Sequence, residues 1–243
     1  MRIAILSDIH GNDSALRAVL DDININGGVD QYWILGDLVA IGHAPIKVLE
    51  ILHPLPNIFF VRGNTDRYVC TGDRPPLTEE HVPAGQSFLD LLLEVEADFS
   101  WTQGAVTVSG WFDWLSDLPL EFRTQLPDGT RVLCVHASPG QDAGSGISPE
   151  TKDHQLETLL AGCQDDLICV GQTHRPFSRN LAATRIINPG SVSNPLGSDP
   201  RACYAILEAG KSGYEIEFYR VAYDYQAVMD ILASINHPGR RLI

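Results

Sequence analysis

Apolar runs of strand length alternate with amphipathic stretches along the first quarter of the chain. The runs at residues 3–6, 31–35 and 58–61 are separated by segments 14–26 and 45–52, in which apolar residues recur at helical spacing. Gly27-Gly28 ends the first of these helices and Pro45 begins the second. Because the connections are short, the pattern predicts parallel β-α-β units of an α/β fold.

The pattern changes between residues 67 and 120. Pro75-Pro76 and Pro83 interrupt the chain, and an apolar helical stripe then follows over residues 87–97, with a short helix at 111–115. Strand-like runs resume after residue 120. We therefore interpret this region as a helical insertion within a single domain that spans residues 1–243.

The rest of the chain predicts mainly strands. Residues 121–125 and 131–135 form a hairpin around Pro127-Asp128-Gly129, and further strands are expected at 167–170, 185–187, 203–208 and 214–221. Helices are expected at 149–161 and 224–235. The tail 237–243 is predicted to be poorly anchored.

The first strand ends in two residues that can bind metal, Asp8 and His10. In extended chain, residues i and i+2 point the same way, so we expect both side chains to converge just beyond the strand. A carboxylate oxygen and an imidazole nitrogen in that arrangement are half of a metal site.

Four later strand ends deliver side chains of the same kind: Asp37; Asn64 and Asp66; His136; and Gln172 and His174. In α/β sheets, ligands bind outside the carboxyl ends of the strands. Taken singly, Asp37 could cap a helix, Asn64 could form a turn and His136 could be a hydrogen-bonded core histidine. Together they fit one dinuclear site of mixed nitrogen and oxygen ligands, which suits Mn, Fe or Zn better than Ca.

Composition narrows the partners and the compartment. With 31 acidic and 17 basic residues, the net charge of −14 argues against binding to nucleic acid or anionic membranes. A small phosphorylated substrate stays compatible, because bound cations can reverse the field inside a cleft. Five cysteines without a CxxC motif, no signal segment and no bilayer-length apolar run predict a soluble cytoplasmic protein without disulfides.

The five motifs resemble, in order and spacing, those of the calcineurin-like metallophosphoesterases. The similarity is greatest to the small bacterial branch of YfcE-type phosphodiesterases and diadenosine-tetraphosphatase-like enzymes, and it runs over nearly the whole chain. It implies a two-sheet β-sandwich flanked by helices, in four-layer αββα order, and metal-dependent hydrolysis of a small phosphomono- or phosphodiester, such as a nucleotide or dinucleoside polyphosphate. The alternative is a protein of this fold that has lost activity and serves as a binding or scaffold module.

The resemblance also implies roles for the motif residues. Asp8, His10 and His174 would hold a first divalent metal, and Asp37 would bridge it to a second. Asn64 and His136 would hold the second metal, and a hydroxide shared by both would attack phosphorus in line.

Two positions depart from the family pattern. Gln172 stands where the family usually has a histidine ligand of the second metal, so this metal is expected to bind more weakly or with an extra water. Thr65 stands where many relatives have a histidine that assists the leaving group. The enzyme is therefore expected to favour good leaving groups, or to use metal-bound water as the acid.

Four other residues are candidates with an ordinary alternative each. Asp66 would orient His10 or another ligand, or would only shape a turn. Asn12 would donate to a phosphate or cap a helix, Arg67 would clamp a phosphate or form a surface ion pair, and His43 would line the pocket or face solvent.

Overall fold

The computed structural model describes residues 1–83, 85–196 and 198–242, and within them the strands form two five-stranded sheets. The first sheet has the order β10-β9-β1-β2-β3 and the second β4-β5-β6-β8-β7. The strands are β1 Arg2–Leu6, β2 Gln31–Ile34, β3 Ile58–Phe60, β4 Glu121–Gln125, β5 Arg131–Val135, β6 Leu167–Cys169, β7 Phe177–Leu181, β8 Thr184–Asn188, β9 Ala202–Gly210 and β10 Gly213–Val221.

Helices join and cover these strands. They are α1 Asp13–Ile25, α2 Pro45–Leu52, α3 Asn64–Thr71, α4 Phe88–Val108, α5 Phe112–Ser116, α6 Asp153–Leu159 and α7 Tyr225–Ser234, with a 3-10 turn at Glu79–His81. Across the three described ranges, no helix is both long enough and apolar enough to cross a membrane.

Each sheet contains three neighbouring parallel strands. β1 pairs with β2 and β2 with β3 in parallel, as the alternation of strands and helices predicts, and β5, β6 and β8 are likewise parallel to one another. The edge strands β4 and β7 pair antiparallel with β5 and β8. β9 enters the first sheet antiparallel beside β1. The carboxyl ends of β1, β2 and β3 therefore lie at one edge of the first sheet, and those of β5 and β6 at one edge of the second.

Side chains of β1 show how the layers are built. Ile3 and Ile5 belong to the core that joins the two sheets, whereas Ala4 and Leu6 belong to the core under α1, α2 and α4. Behind the second sheet, Leu133 and its neighbours pack against Leu156 of α6. Helices thus cover both outer faces of a two-sheet sandwich, which confirms the predicted fold class.

Several predicted boundaries are wrong. α4 continues to Val108 instead of ending near residue 97. The buried polar residues Asp98 and Thr102 interrupt its apolar stripe, and the hydrophobic pattern therefore predicted a helix that is too short. α6 occupies only 153–159 of the predicted 149–161, and the sequence pattern did not predict α3 or β7.

The prediction of a poorly anchored tail is also wrong. His237 is 2% exposed, its Nδ1 accepts the backbone N–H of Gly239 (3.1 Å), and its ring lies 4.4 Å from that of Trp101 on α4. Gly239 packs so closely on Asp98 that a side chain there would overlap the carboxylate. The described part of the tail, up to residue 242, is therefore fixed to α4.

Candidate metal centre

The loops that follow β1, β2, β5 and β6 meet at one end of the two-sheet sandwich, and the loop after β3 joins them through Asn64. Two groups of side chains, each with all ligand atoms within 4.8 Å of one another, form there: Asp8 with His10 and His174, and Asp8 with Asp37 and His136. The first sheet supplies its residues from the ends of β1 and β2, and the second sheet from the ends of β5 and β6. The predicted strand-end residues are thus brought to one place.

The first group consists of one carboxylate and two imidazoles. His10 Nε2 lies 3.2 Å from His174 Nε2, and His174 Nε2 lies 3.4 Å from Asp8 Oδ1. Two ring nitrogens this close to a buried carboxylate form a compact set of N and O donors of the kind that binds Mn, Fe or Zn.

The second group is built around His136. Its Nε2 lies 3.4 Å from Asp37 Oδ2 and 3.1 Å from the side-chain oxygen of Asn64. Asp37 Oδ2 also lies 3.6 Å from His10 Nε2, whereas Asp37 Oδ1 accepts the backbone N–H of Thr65 (2.9 Å). A single oxygen of Asp37 therefore faces both groups.

Backbone carbonyls determine the tautomers of two histidines. His136 Nδ1 lies 2.6 Å from the carbonyl of Leu35, and His174 Nδ1 lies 2.7 Å from that of Asn194. A carbonyl only accepts, so in both rings Nδ1 carries the proton that it donates. When these rings are neutral, their Nε2 lone pairs are directed at the centre, as in histidines that bind metal.

Burial and nearby charges shift the pKa values of His10 and His136 in opposite directions. Burial lowers the pKa of His10 to about 4, despite the nearby Asp37 carboxylate. Burial acts in the same direction on His136, but the charges of Asp37 and Asp8 outweigh it and raise the pKa of His136 to about 10. Burial likewise opposes ionisation of Asp37, yet His136 holds the pKa of that carboxyl below its ordinary value. At neutral pH the Asp37 carboxylate is therefore ionised, and in the metal-free protein a protonated His136 carries the opposite charge beside it.

Buried polar atoms without a hydrogen-bond partner indicate whether a metal ion fits the centre. Both carboxylate oxygens of Asp8 and the side-chain oxygen of Gln172 are buried and accept no hydrogen bond within the described ranges. A buried carboxylate without donors is costly unless it is paired or coordinates a metal. The donor set thus fits divalent cations.

The backbone at these residues is unusual. Five non-glycine residues of the centre have left-handed conformations: Asp8 (φ 56°), His10 (φ 46°), Asp37 (φ 55°), Gln172 (φ 66°) and His174 (φ 55°). Such conformations are uncommon and cluster at functional sites. The expectation that Asp8 and His10 converge through extended geometry is therefore wrong, because left-handed turns orient them.

Asp66 holds two of the loops together. Its carboxylate accepts the backbone N–H groups of Gly63 (3.0 Å), Asp37 (2.9 Å) and Leu38 (2.9 Å). Burial and the charge of Asp37 raise the pKa of Asp66 to about 7. The loops approach so closely that a side chain at Gly63 would overlap the Asp37 carboxylate. Asp66 therefore acts on the backbone of the ligand loops and forms no hydrogen bond with His10.

Three predicted substrate-binding residues are engaged elsewhere. Asn12 caps α1 by accepting the backbone N–H of Ala15 (3.0 Å), and His43 Nε2 lies 3.4 Å from Asp13. Arg67 pairs with Asp142 (3.0 Å) and Asp73 (2.6 Å). None of the three lines the cavity at the centre, whose lining includes His10, Asp37, Asn64, Gln172 and His174.

Sequence reasoning missed the segment that supports the first group. Ser191 donates its hydroxyl to the Asp8 carbonyl (2.8 Å), Asn188 donates to the Gly171 carbonyl (2.6 Å), and Asn194 supplies the acceptor for His174. The turn-rich sequence Asn188-Pro189-Gly190-Ser191 between two predicted strands was the available signal.

Comparison with known proteins agrees with this geometry. The family model described as calcineurin-like phosphoesterase superfamily domain matches residues 1–212, so the chain belongs to this superfamily of phosphoric ester hydrolases. The predicted family and the prediction of a hydrolase are thereby confirmed.

Individual relatives cover most of the chain. An uncharacterised protein, MJ0912, of Methanocaldococcus jannaschii is 29% identical over 99% of this chain and 96% of its own. Phosphodiesterase YfcE of Escherichia coli K12 is 27% identical over 86% of this chain and 88% of its own. A solved metallophosphoesterase of Sphaerobacter thermophilus, 29% identical, superimposes with a TM-score of 0.75 over 97% of this chain and 94% of its own.

Proposed function

We propose that this protein is a phosphoesterase that uses two divalent cations to hydrolyse a small phosphorylated molecule, preferably a phosphodiester. The observation that carries the proposal is Asp37 Oδ2, which lies within 3.6 Å of a histidine nitrogen in each of the two ligand groups. The name of the relative YfcE supports the choice of a diester.

The residues at the centre divide between two cations. Asp8, His10 and His174 would hold the first, Asn64, His136 and Gln172 would hold the second, and Asp37 would serve both. Bound there, the pair would lower the pKa of water and neutralise charge on the phosphoryl oxygens during in-line displacement. The carbonyls of Leu35 and Asn194 keep Nδ1 protonated, so that Nε2 stays a ligand.

Thr65 limits which leaving groups are suitable. Its hydroxyl donates to the carbonyl of Val39 (3.0 Å) and is 5% exposed, so it is not free to protonate a departing oxygen. We therefore expect esters with good leaving groups, such as aryl esters and phosphoanhydrides, to react faster than simple alkyl esters.

The test is hydrolysis by the Mn²⁺-loaded protein of bis(p-nitrophenyl) phosphate, p-nitrophenyl phosphate and diadenosine tetraphosphate. Asp37→Ala removes the shared ligand and is expected to lower kcat/KM by about 10³-fold or more, in line with losses of central catalytic groups. Asp21→Ala, an exposed aspartate of α1, is the matched control and should retain full activity.

Three outcomes separate the possibilities. Faster hydrolysis of the diester than of the monoester supports the proposed preference, and the reverse contradicts it. Activity confined to diadenosine tetraphosphate would make the protein a dinucleoside polyphosphate hydrolase and would contradict the preference for a phosphodiester. No metal-dependent activity above that of Asp37→Ala on any of the three would contradict the proposal.

A further inference from the structure

A cavity of about 290 Å³ opens on the candidate metal centre. Part of its lining consists of proposed ligands, including Asp37, Asn64 and His174. Most of the remainder is apolar and comes from segments far apart in the sequence. These side chains are Ile41 after β2, Pro75 and Leu77 before the 3-10 turn, Leu91, Val95 and Phe99 of α4, and Leu242 of the tail. Thr65 and His81 are the polar residues of this part of the lining.

One buried carboxylate joins the segments that form the apolar lining. Asp98 of α4 accepts the backbone N–H of Ile41 (2.9 Å), which is itself a lining residue, and packs against Gly239 three residues before Leu242. α4, the loop after Asp37 and the tail are thus fixed relative to one another. The apolar lining thus consists mainly of buried core residues of α4 together with Ile41, Leu77 and Leu242, which pack against that core.

The chemistry of the lining restricts what it can bind. None of the lining residues within the described ranges is Lys or Arg, the side chains that bind phosphate as fixed cations, and His81 is the one histidine among them outside the proposed ligands. The volume of the cavity is at the lower end for small-molecule sites. Apolar side chains next to a centre that attracts phosphate suit an ester whose organic group is small and apolar.

We propose that this cavity is a substrate subsite for an apolar aryl or short alkyl group attached to the phosphorus that reacts at the metal centre. The inference rests on the proposed function for the position of the phosphoryl group, and it adds the chemical class of the substituent. It also assigns a role to the predicted insertion and to the tail, which supply most of the apolar lining.

The test is isothermal titration calorimetry of the Mn²⁺-loaded protein with methyl-, butyl- and phenylphosphonate, which share one anionic head group and are not hydrolysed. We expect butyl- and phenylphosphonate to bind about tenfold or more tightly than methylphosphonate, because each buried methylene contributes about fourfold. The heat-capacity change should become more negative along the series, as apolar burial requires.

Two variants place a polar group in the lining where the side chain is only half-buried, Leu77→Gln and Leu242→Gln. Each is expected to remove most of the butyl and phenyl advantage while leaving the Kd of methylphosphonate unchanged. Leu89→Gln is the matched control, because Leu89 lies on α4 but is 63% exposed and outside the lining. Equal melting temperatures would show that all three variants are folded.

Equal Kd values for methyl- and butylphosphonate in the wild type would overturn the subsite, as would an undiminished preference in both lining variants. These outcomes do not depend on turnover. If bis(p-nitrophenyl) phosphate is hydrolysed but the three phosphonates bind with equal Kd values, only the proposed subsite is wrong. If the series behaves as expected but no ester is hydrolysed, only the proposed catalysis is wrong.

Discussion

As we propose them, the two halves of the candidate metal centre share Asp37 but differ in their other donors. The first half would have a carboxylate and two imidazoles, Asp8, His10 and His174, and the second one imidazole and two neutral amide groups, Asn64, His136 and Gln172. Asp8 also lies within 4.8 Å of the ligand atoms of Asp37 and His136. The halves also differ in protonation, since the pKa of His10 is lowered to about 4 and that of His136 is raised to about 10. We infer that the first half binds its cation more tightly at neutral pH.

The halves are also supported by different residues, which allows them to be disturbed separately. Asp66→Ala would leave the N–H groups of Gly63, Asp37 and Leu38 without their buried acceptor. Because each such loss costs about 1–3 kcal/mol, we expect the free energy of unfolding to fall by about 3 kcal/mol or more. Urea denaturation of the metal-free protein measures this effect.

A substitution with a smaller effect tests whether each supporting residue acts only on its own half of the centre. Ser191→Ala removes the donor to the Asp8 carbonyl and should lower the free energy of unfolding by only about 1 kcal/mol. Calorimetric titration with Mn²⁺ should then show that Asp66→Ala weakens mainly the second cation and Ser191→Ala mainly the first. Equal effects of both variants on both cations would mean that the halves do not form separate units.

Protonation of His136 predicts that the affinity of the second half for its cation depends on pH. Because its folded-state pKa is about 10, the ring is protonated at neutral pH in the metal-free protein and must release that proton when a cation binds. The affinity of the second cation should therefore rise by up to about tenfold per pH unit between pH 6 and 9. Titrations in buffers of different ionisation enthalpy would measure the released protons.

A variant identifies the source of that proton. His136→Gln should bind the second cation more weakly and lower the slope of log affinity against pH by about one. The same proton stabilises the metal-free fold, since the raised pKa contributes stability below about pH 6.5 that is lost as pH rises towards 10. An unchanged slope in His136→Gln would show that another group releases the proton.

The sequence predicted the location of the centre better than its construction. Strand-end motifs identified Asp8, Asp37 and His136, because a buried strand followed by a polar residue is visible in a one-dimensional pattern. The left-handed turns that orient Asp8 and His10 were not visible, since Asp and His do not signal positive φ as glycine does. Ser191 and Asn194 were missed because the turn that carries them reaches the first half through long-range backbone hydrogen bonds, from Val192 N–H to the Ser7 carbonyl and from Ser193 N–H to the Asp8 carbonyl.

The cavity shows a similar limit. The apolar stripe of residues 88–95 was read correctly as helical, but a stripe does not specify what it packs against. Its position beside the centre depends on buried polar contacts of Asp98, a residue that interrupts the stripe and concealed the last turns of α4. Hydrophobic patterning gives no signal for the buried polar residues that organise a core.

Gln172 gives the most direct test of the difference between the halves. Its side-chain oxygen is buried without a hydrogen-bond partner, and its side chain lines the cavity beside His174. Gln172→His would add an imidazole donor, and we expect the second cation to bind about tenfold more tightly, since imidazole is the better ligand for Mn, Fe or Zn. Gln172→Ala, which removes the donor, should instead weaken it. Metal per monomer, measured after dialysis against a low metal concentration, should rise towards two only in Gln172→His. Full occupancy of both sites in the native protein under the same conditions would contradict the asymmetry of the two halves.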